Sequence, residues 1–286
     1  MISDWKGRFE AFAERKASEA AGAALAPFTT SAERADSAFD AIGNDWSRTL
    51  FDGSFYLSPP PSPDLPATSL VFVQSRDGNT GARDPALLGG GEIDRHLIYE
   101  GLSRVAADAV LAGAGTVRGG HFLLSTWHPE LVALRAALGL PRHPTQIVAT
   151  LSGLPLDEAL LFNVPDVNVI LITVAAAVDV MSDALATRPW MTPLVMNHAG
   201  ALPEMFRRLR QLGLRRISCI GGRTLARSAI EGGLIQDVYL TTGTATGGEP
   251  NTPLDSRVLA GREVVRKIGT GADAGVLFQH LVIQPT

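Results

Sequence analysis

Two stretches decide how this chain folds: Gly113-Ala-Gly-Thr-Val117 and Gly221-Gly-Arg-Thr-Leu225. Each follows a short apolar run that reads as a buried strand, Ala109-Val-Leu-Ala112 and Ile217-Ser-Cys-Ile220, and each opens a segment that reads as a helix. A strand that ends in glycine and runs into a helix start leaves backbone N–H groups unpaired and aimed at one point. The positive end of the helix dipole stands behind them. Such a turn seats phosphate. Two of them in one chain point to a ligand with more than one phosphate group, a dinucleotide above all. Neither turn is the Rossmann fingerprint. The first places its glycines at 113, 115 and 119, with Arg118 before the last. No acidic residue closes a second strand about 20 residues further on, where a ribose 2′-hydroxyl needs one. The alternative, that these glycines only tighten strand-to-helix turns, stays open at this point.

Composition narrows the classes. A chain of 286 residues, 45% hydrophobic and 19% charged, can bury one large core, or one core plus an appendage. A net charge of −4 with no dense basic stripe makes nucleic acid an unexpected partner. The single cysteine, Cys219, excludes an internal disulfide framework and a cysteine zinc site; inside a strand it reads as a core filler. His121, His128 and His143 fit no usual ligand spacing, so no metal is expected. No apolar stretch reaches membrane-spanning length. Met1-Ile-Ser-Asp-Trp-Lys6 lacks the basic and apolar regions of a secretory signal, so a cytoplasmic location is expected.

Along the chain, residues 4–25 read as a helix with Trp5, Phe9 and Phe12 on one face. Five prolines in Ser58-Pro-Pro-Pro-Ser-Pro-Asp-Leu-Pro66 favour an extended linker. Residues 1–66 are thus expected to form an extension, and 67–286 the main domain. The aromatic residues of the extension imply that it packs on its own body or on a second subunit. From Thr68 strand and helix alternate. Strands are expected at 68–73, 108–112, 145–150, 167–173, 193–196 and 215–220. An amphipathic helix over 92–106 carries Ile93, Leu97, Ile98, Leu102 and Val105 on one stripe. Pro129 opens a helix to Leu138, and Pro203 opens another that ends at Gly213, with Met205, Phe206, Leu209 and Leu212 buried. Residues 236–242 and 275–283 read as late strands with no helix between them, hence antiparallel. The expected architecture is α/β, a mostly parallel sheet with an antiparallel C-terminal edge, whose ligand lies beyond the carboxyl ends of the strands.

The order of these motifs resembles the reductase domain of bifunctional riboflavin-biosynthesis proteins, the RibD C-terminal domain, a relative of dihydrofolate reductase. Gln74-Ser-Arg-Asp-Gly-Asn79 stands where that family has a Ser-Leu-Asp-Gly-Arg-like stretch. Leu102 to Arg118 is close to its Leu-Arg-x-x-x-Asp-Ala-Ile-Leu-Val-Gly-x-x-Thr-Val-Arg. Ile220-Gly-Gly-Arg-Thr-Leu225 matches Glu-Gly-Gly-Pro-Thr-Leu. The resemblance spans about residues 67–283 and implies a three-layer, dihydrofolate reductase-like sandwich. It also implies an NADPH-dependent reductase of a ribosylaminopyrimidine phosphate, homodimeric like its relatives. By residue match, Gly113, Thr116 and Val117 would touch the cofactor from the first turn. Gly221, Gly222, Arg223, Thr224 and Leu225 would cradle its pyrophosphate. Thr150, Ser152 and Thr173 would face the adenosine half. Ser75 and Arg104 would meet the substrate.

The departures fall on the substrate side. The family's Ala-Asp-Asp-Pro and Leu-Thr-x-Arg stretch is replaced by Arg118-Gly-Gly-His-Phe-Leu-Leu-Ser-Thr-Trp127, and the glutamate before the second glycine pair is Ile220. An apolar side chain cannot accept the hydrogen bonds of a carboxylate, so an altered, less phosphorylated substrate is expected. Asp77, after the first strand, is the candidate polar catalytic group; as an Asp-Gly pair with Gly78 it could equally make a tight turn. Glu92 could cap the helix that follows, and Phe122 and Trp127 could wall a pocket or fill the core. The rival functions are a dihydropterin reductase, which needs a buried carboxylate, and a non-catalytic nucleotide-binding protein.

Overall fold

The computed structural model describes residues 4–118, 122–198 and 200–283; Gly119 and His121 therefore lie outside the described residues. The strands are β1 (Phe28–Glu33), β2 (Asp40–Ile42), β3 (Phe55–Leu57), β4 (Ala67–Gln74), β5 (Ala109–Gly113), β6 (Thr145–Ala149), β7 (Val169–Val174), β8 (Met191–Met196), β9 (Arg216–Gly221), β10 (Asp237–Thr242), β11 (Arg262–Gly269) and β12 (Leu277–Val282). The α-helices are α1 (Trp5–Gly22), α2 (Asp45–Phe51), α3 (Ser103–Val105), α4 (Ala114–Val117), α5 (Pro129–Ala137), α6 (Ala175–Ala186), α7 (Leu202–Gln211), α8 (Arg223–Glu231) and α9 (Ser256–Leu259). A wide helix with i→i+5 geometry, Ile93–Leu102, runs directly into α3.

Ten strands form one sheet in the order β1-β11-β12-β10-β4-β9-β5-β6-β7-β8, and β2 and β3 pair separately. From β10 to β8 in that order every pair is parallel. The pairs β10–β12, β11–β12 and β1–β11 are antiparallel. The chain builds β4 to β8 outward, then returns to insert β9 between β4 and β5. That reversal opens a crevice at the carboxyl edge, the place where such sheets take ligands. Helices α7 and α8 cover one face with Met205, Phe206, Leu209, Ala226 and Ala229. The wide helix and α5 cover the other face with Ile93, Leu97, Ile98 and Leu131, and α6 extends that layer with Ala177 and Met181. Cys219 is fully buried in β9, and burial pushes its thiol up to about 12, so it packs and does not react.

Three local expectations need correction. A short helix, α9, and a whole strand, β11, lie between the late strands, where no helix was expected. β11 alternates burial in the pattern of a half-exposed strand, and its charged outer face (Glu263, Arg266) hides it from a search for apolar runs. α6, rich in alanine and without a side-chain cap, also escapes sequence punctuation. The helix expected over 92–106 is mostly a wide one. Its distortion sits at Gly101 (φ −119°, ψ −110°), where an added Cβ would come within 2.6 Å of the His96 carbonyl oxygen and of Leu131 Cδ1.

The segment before Ala67 packs on its own body. β1 adds to the sheet edge, with Lys267 Nζ donating to Thr30 Oγ1 (2.7 Å) and to the Asp52 carbonyl (3.0 Å). Phe28, Phe51 and Phe55 surround Phe278. α1 lays Phe12 edge-on against Trp127, with centroids 5.4 Å apart, and Phe9 against His143. Trp127 is thereby a core residue, and Phe122 packs beside it half-buried.

Candidate active site

The two glycine turns meet. β5 and β9 are neighbours, and their carboxyl ends bring Gly113 against Gly222. Near those ends the register slips: Leu111 pairs with Cys219 but Ala112 with Gly221, so Ile220 is bulged out of the ladder. Gly221 (φ +86°) and Gly222 (φ +80°) hold left-handed conformations that other residues adopt at a cost. Space is tight beside Gly221 and in ordinary contact range beside Gly222. A Cβ on Gly221 would stand 3.1 Å from Phe72 Cζ, and one on Gly222 would enter the gap 3.4 Å from Thr116 Oγ1. α8 starts directly after Gly222 with no side-chain cap, which leaves its first N–H groups open at this gap. Thr224 is exposed and Leu225 packs its Cβ near Gly113. Val117 turns its side chain into the core, so only its backbone faces the turn.

Beyond the ends of β6 and β7 the expected contacts separate. Thr150 Oγ1 donates to the Gly153 carbonyl (3.1 Å) and closes a turn. Thr173 is wholly buried, with a hydroxyl that has no partner. Ser152 is exposed, and Arg118 Nη2 reaches its Oγ at 3.4 Å. An arginine does stand here, then, although the local sequence Ala149-Thr-Leu-Ser152 contains none; it comes from the end of the first glycine turn.

On the opposite face, the first turn of the wide helix carries Asp94, buried at the same carboxyl edge. Burial raises its carboxyl to about 7. Thr241 on β10, whose hydroxyl has no full hydrogen bond of its own, is the one neighbour favouring the ionised form. Thr241 pairs with Val73 of β4, which in turn neighbours β9. Two strand spacings, about 10 Å, therefore separate the Asp94 column from the second glycine turn. Sequence reading passed over Asp94, yet a signal was there: it precedes Leu97 by three and Ile98 by four, a carboxylate inside the apolar stripe. Glu92 does not cap this helix; it takes His96 Nε2 at 3.1 Å. The open N–H groups of Glu92 and Ile93 go to Asp273, whose carboxyl is raised, mainly by burial.

Ser75 and Asp77 build a canopy over the ends of β4 and β10. Ser75 Oγ donates to Asp77 Oδ1 (2.7 Å), as do the Gly247 N–H (3.0 Å) and, to Oδ2, Asn79 Nδ2 (3.1 Å). These bonds, the Ser75 hydroxyl first, hold the exposed Asp77 carboxyl below the usual range. It stays ionised and ties loop 75–81 to loop 244–252.

Arg104 is 1% exposed and precedes the amino end of β5, the end opposite Gly113. It stacks on Tyr99 at 4.2 Å and donates to the Ser125 carbonyl at 3.1 Å. Its Nε and Nη2 have no hydrogen-bond partner among the described residues. His128 stacks on Trp46, and His143 meets Ser125 Oγ at 2.8 Å, its pKa pushed down to about 4 chiefly by burial. Among the described residues no group of three or more His, Cys, Asp or Glu could hold a metal, and no helix is long and apolar enough to cross a membrane.

A mostly parallel sheet with β9 inserted between β4 and β5, and two glycine turns meeting at its carboxyl edge, defines a doubly covered α/β protein. Residues 69–265 match the family model of the RibD C-terminal domain, and the chain belongs to that family. No curated protein sequence matches the chain closely enough to count as a relative. Among solved structures it is similar to a pyrimidine reductase-like protein from Corynebacterium diphtheriae, with a TM-score of 0.59 and 19% identity over 77% of this chain and 93% of that one. RibD of Acinetobacter baumannii gives 0.53 and 16%, over 77% of this chain and 58% of that one. A diaminohydroxyphosphoribosylaminopyrimidine deaminase/5-amino-6-(5-phosphoribosylamino)uracil reductase from Thermotoga maritima gives 0.51 and 16%, over 76% and 57%. These likenesses establish the fold.

Proposed function

We propose that the chain is a reductase that takes NADPH and reduces a C=N bond in a pyrimidine- or pterin-like heterocycle. The observation that carries the reading is the meeting of Gly113 and Gly222, a gap that any side chain would fill, beside the uncapped start of α8. The residues present fit a diphosphate there: N–H donors of Arg223 to Leu225, the Arg223 cation, and no carboxylate directly in the turn. Arg118 and Ser152 are placed to take a 2′-phosphate, which favours NADPH over NADH. When bound, the nicotinamide would supply the hydride. The chain's own part is orientation at the carboxyl edge and a proton. Asp94, with its carboxyl near 7, can hold that proton close to neutrality for the nitrogen of the bond being reduced. Asp77, held ionised, is the brace of the canopy and not the donor.

The dihydropterin reading gains from the same carboxylate, since a buried acid was its missing requirement. Ile220 in place of a glutamate argues for a substrate with fewer donors to satisfy, and the absence of the family's Leu-Thr-x-Arg arginine after Arg118 argues for one without phosphate. The test is NADPH oxidation by wild type and Asp94→Asn with three substrates: a phosphoribosylaminopyrimidine, its dephosphorylated form and a dihydropterin. Turnover of an unphosphorylated compound, lost in the variant, supports the reading. NADPH binding with no turnover of any of the three would leave the nucleotide-binding alternative.

A further inference from the structure

The canopy touches the second glycine turn through one ion pair, and that pair has an odd consequence for the turn's chemistry. Arg223, the first residue of α8, donates from Nη2 to Glu249 Oε2 at 2.9 Å. Glu249 is no loosely placed surface acid. Its N–H donates to the Gly81 carbonyl at 2.6 Å, and its carboxylate lies where a Cβ on Gly81 would be, 2.7 Å from Oε2. Gly248 (φ +84°) lets the chain pass 2.8 Å from the same carbonyl, measured from the position of an added Cβ. Thr252 closes the loop by donating to the Glu249 carbonyl (2.7 Å) and accepting from the Gly81 N–H (2.9 Å). The canopy is therefore built to hold a carboxylate at the side of the phosphate cradle, on the one cation that the cradle's helix start carries.

We propose that Glu249 is an affinity-determining residue for the dinucleotide: it occupies Arg223 in the free protein and is exchanged for the ligand's diphosphate on binding. The inference rests on the reading of the glycine turns as a dinucleotide cradle. Its physical basis is competition. An arginine paired with a carboxylate must give up that partner before it can pair with a phosphate, so the ligand's gain is reduced by the strength of the internal pair. Because that pair is half-exposed, the reduction is modest, about two- to fivefold in affinity. The exchange involves the diphosphate, which NADPH and NADH share. Its effect is equal for both, unlike any effect of Arg118, which lies at the far side of β6.

The experiment is a calorimetric titration of the full chain with NADPH, NADH and inorganic pyrophosphate, on wild type, Glu249→Gln, Arg223→Met and the double variant. Glu249→Gln is expected to tighten NADPH and NADH by the same factor, about two- to fivefold, and pyrophosphate in the same direction. Arg223→Met is expected to weaken all three. In the Arg223→Met background, Glu249→Gln is expected to change nothing, since no cation remains to be released. A gain that persists in that background would mean direct repulsion and would overturn the exchange. Weaker binding by Glu249→Gln would also overturn it, by making Glu249 a ligand contact. The acid and the cation are both half-exposed, so the variants should melt with the wild type. Failure of every protein to bind any nucleotide would instead strike the cradle reading itself.

Discussion

The two halves of the carboxyl edge are built on different terms. On the β5–β9 side the site is backbone: two turns, positive φ at Gly221 and Gly222, and a gap that a side chain on Gly222 would enter. On the β4–β10 side it is side chain: Asp94 buried at the head of a wide helix, with the canopy of Ser75 and Asp77 above it. A backbone site is specified by glycine and tolerates little change. A side-chain site can be remodelled by single substitutions while the fold stays intact. On the proposed reading, that difference would let the substrate side change while the glycine turns stay.

Asp94→Asn should separate the halves most sharply. Turnover should fall by about a hundredfold or more, while NADPH affinity stays as in the wild type; an equal loss of binding would show the halves to be one unit. The stability of the same variant carries a sign. Because the native carboxyl is raised from 3.8 to about 7, the folded chain holds a proton that the unfolded chain releases. Wild-type stability therefore falls as pH rises between those values, and Asp94→Asn should flatten that part of a melting-temperature profile. In the wild type, activity that needs protonated Asp94 should decline above about 7.

The support of the wide helix comes next. Lys16 of α1 pairs with Glu100 at 2.7 Å, with 11% and 12% of the two side chains exposed. Burial alone would raise the Glu100 carboxyl, but His96, Arg104 and Lys16 together bring it down to about 2. Lys16→Met leaves that carboxylate buried with one partner fewer, at a cost of about 3 kcal/mol at neutral pH. A depressed carboxyl stabilises above its unfolded value and loses that contribution as pH falls through about 2. The gap in melting temperature between variant and wild type should accordingly shrink toward strong acid. Equal melting at pH 7 would mean that α1 does not brace the acid half.

Arg118→Ala should act on the backbone half alone and on one cofactor alone. NADPH should bind about tenfold more weakly and NADH unchanged; an equal loss for both would remove Arg118 from the 2′-phosphate.

Sequence made the backbone half legible because its signals are local: an apolar run, a glycine and a helix start lie within a dozen residues. The parallel strands were legible for the same reason, since burial on both faces gives continuous apolar runs such as Ala109 to Ala112. The side-chain half was not. Asp94 looked like an ordinary polar residue because a 3.6-residue period says nothing about an extra residue per turn, and the wide helix turns on Gly101. Lys16 meets Glu100, and Lys267 meets Thr30, across most of the fold, where no spacing rule reaches. β1 stayed hidden as a polar edge strand, and β11, paired on both sides, because one of its faces is charged and open to water. Arg104, matched by motif position alone, lies before the amino end of β5, a placement no local spacing gives.

The most direct measurement is a calorimetric titration of the full chain with NADPH, wild type beside Gly222→Asp. The substitution places a carboxylate in the gap 3.4 Å from Thr116 Oγ1, at a residue with φ +80°. Binding of NADPH by the wild type that disappears in the variant, with the melting transition retained, is the expected result. Binding that survives a carboxylate at Gly222, or no binding by the wild type, would contradict the two glycine turns as the dinucleotide cradle.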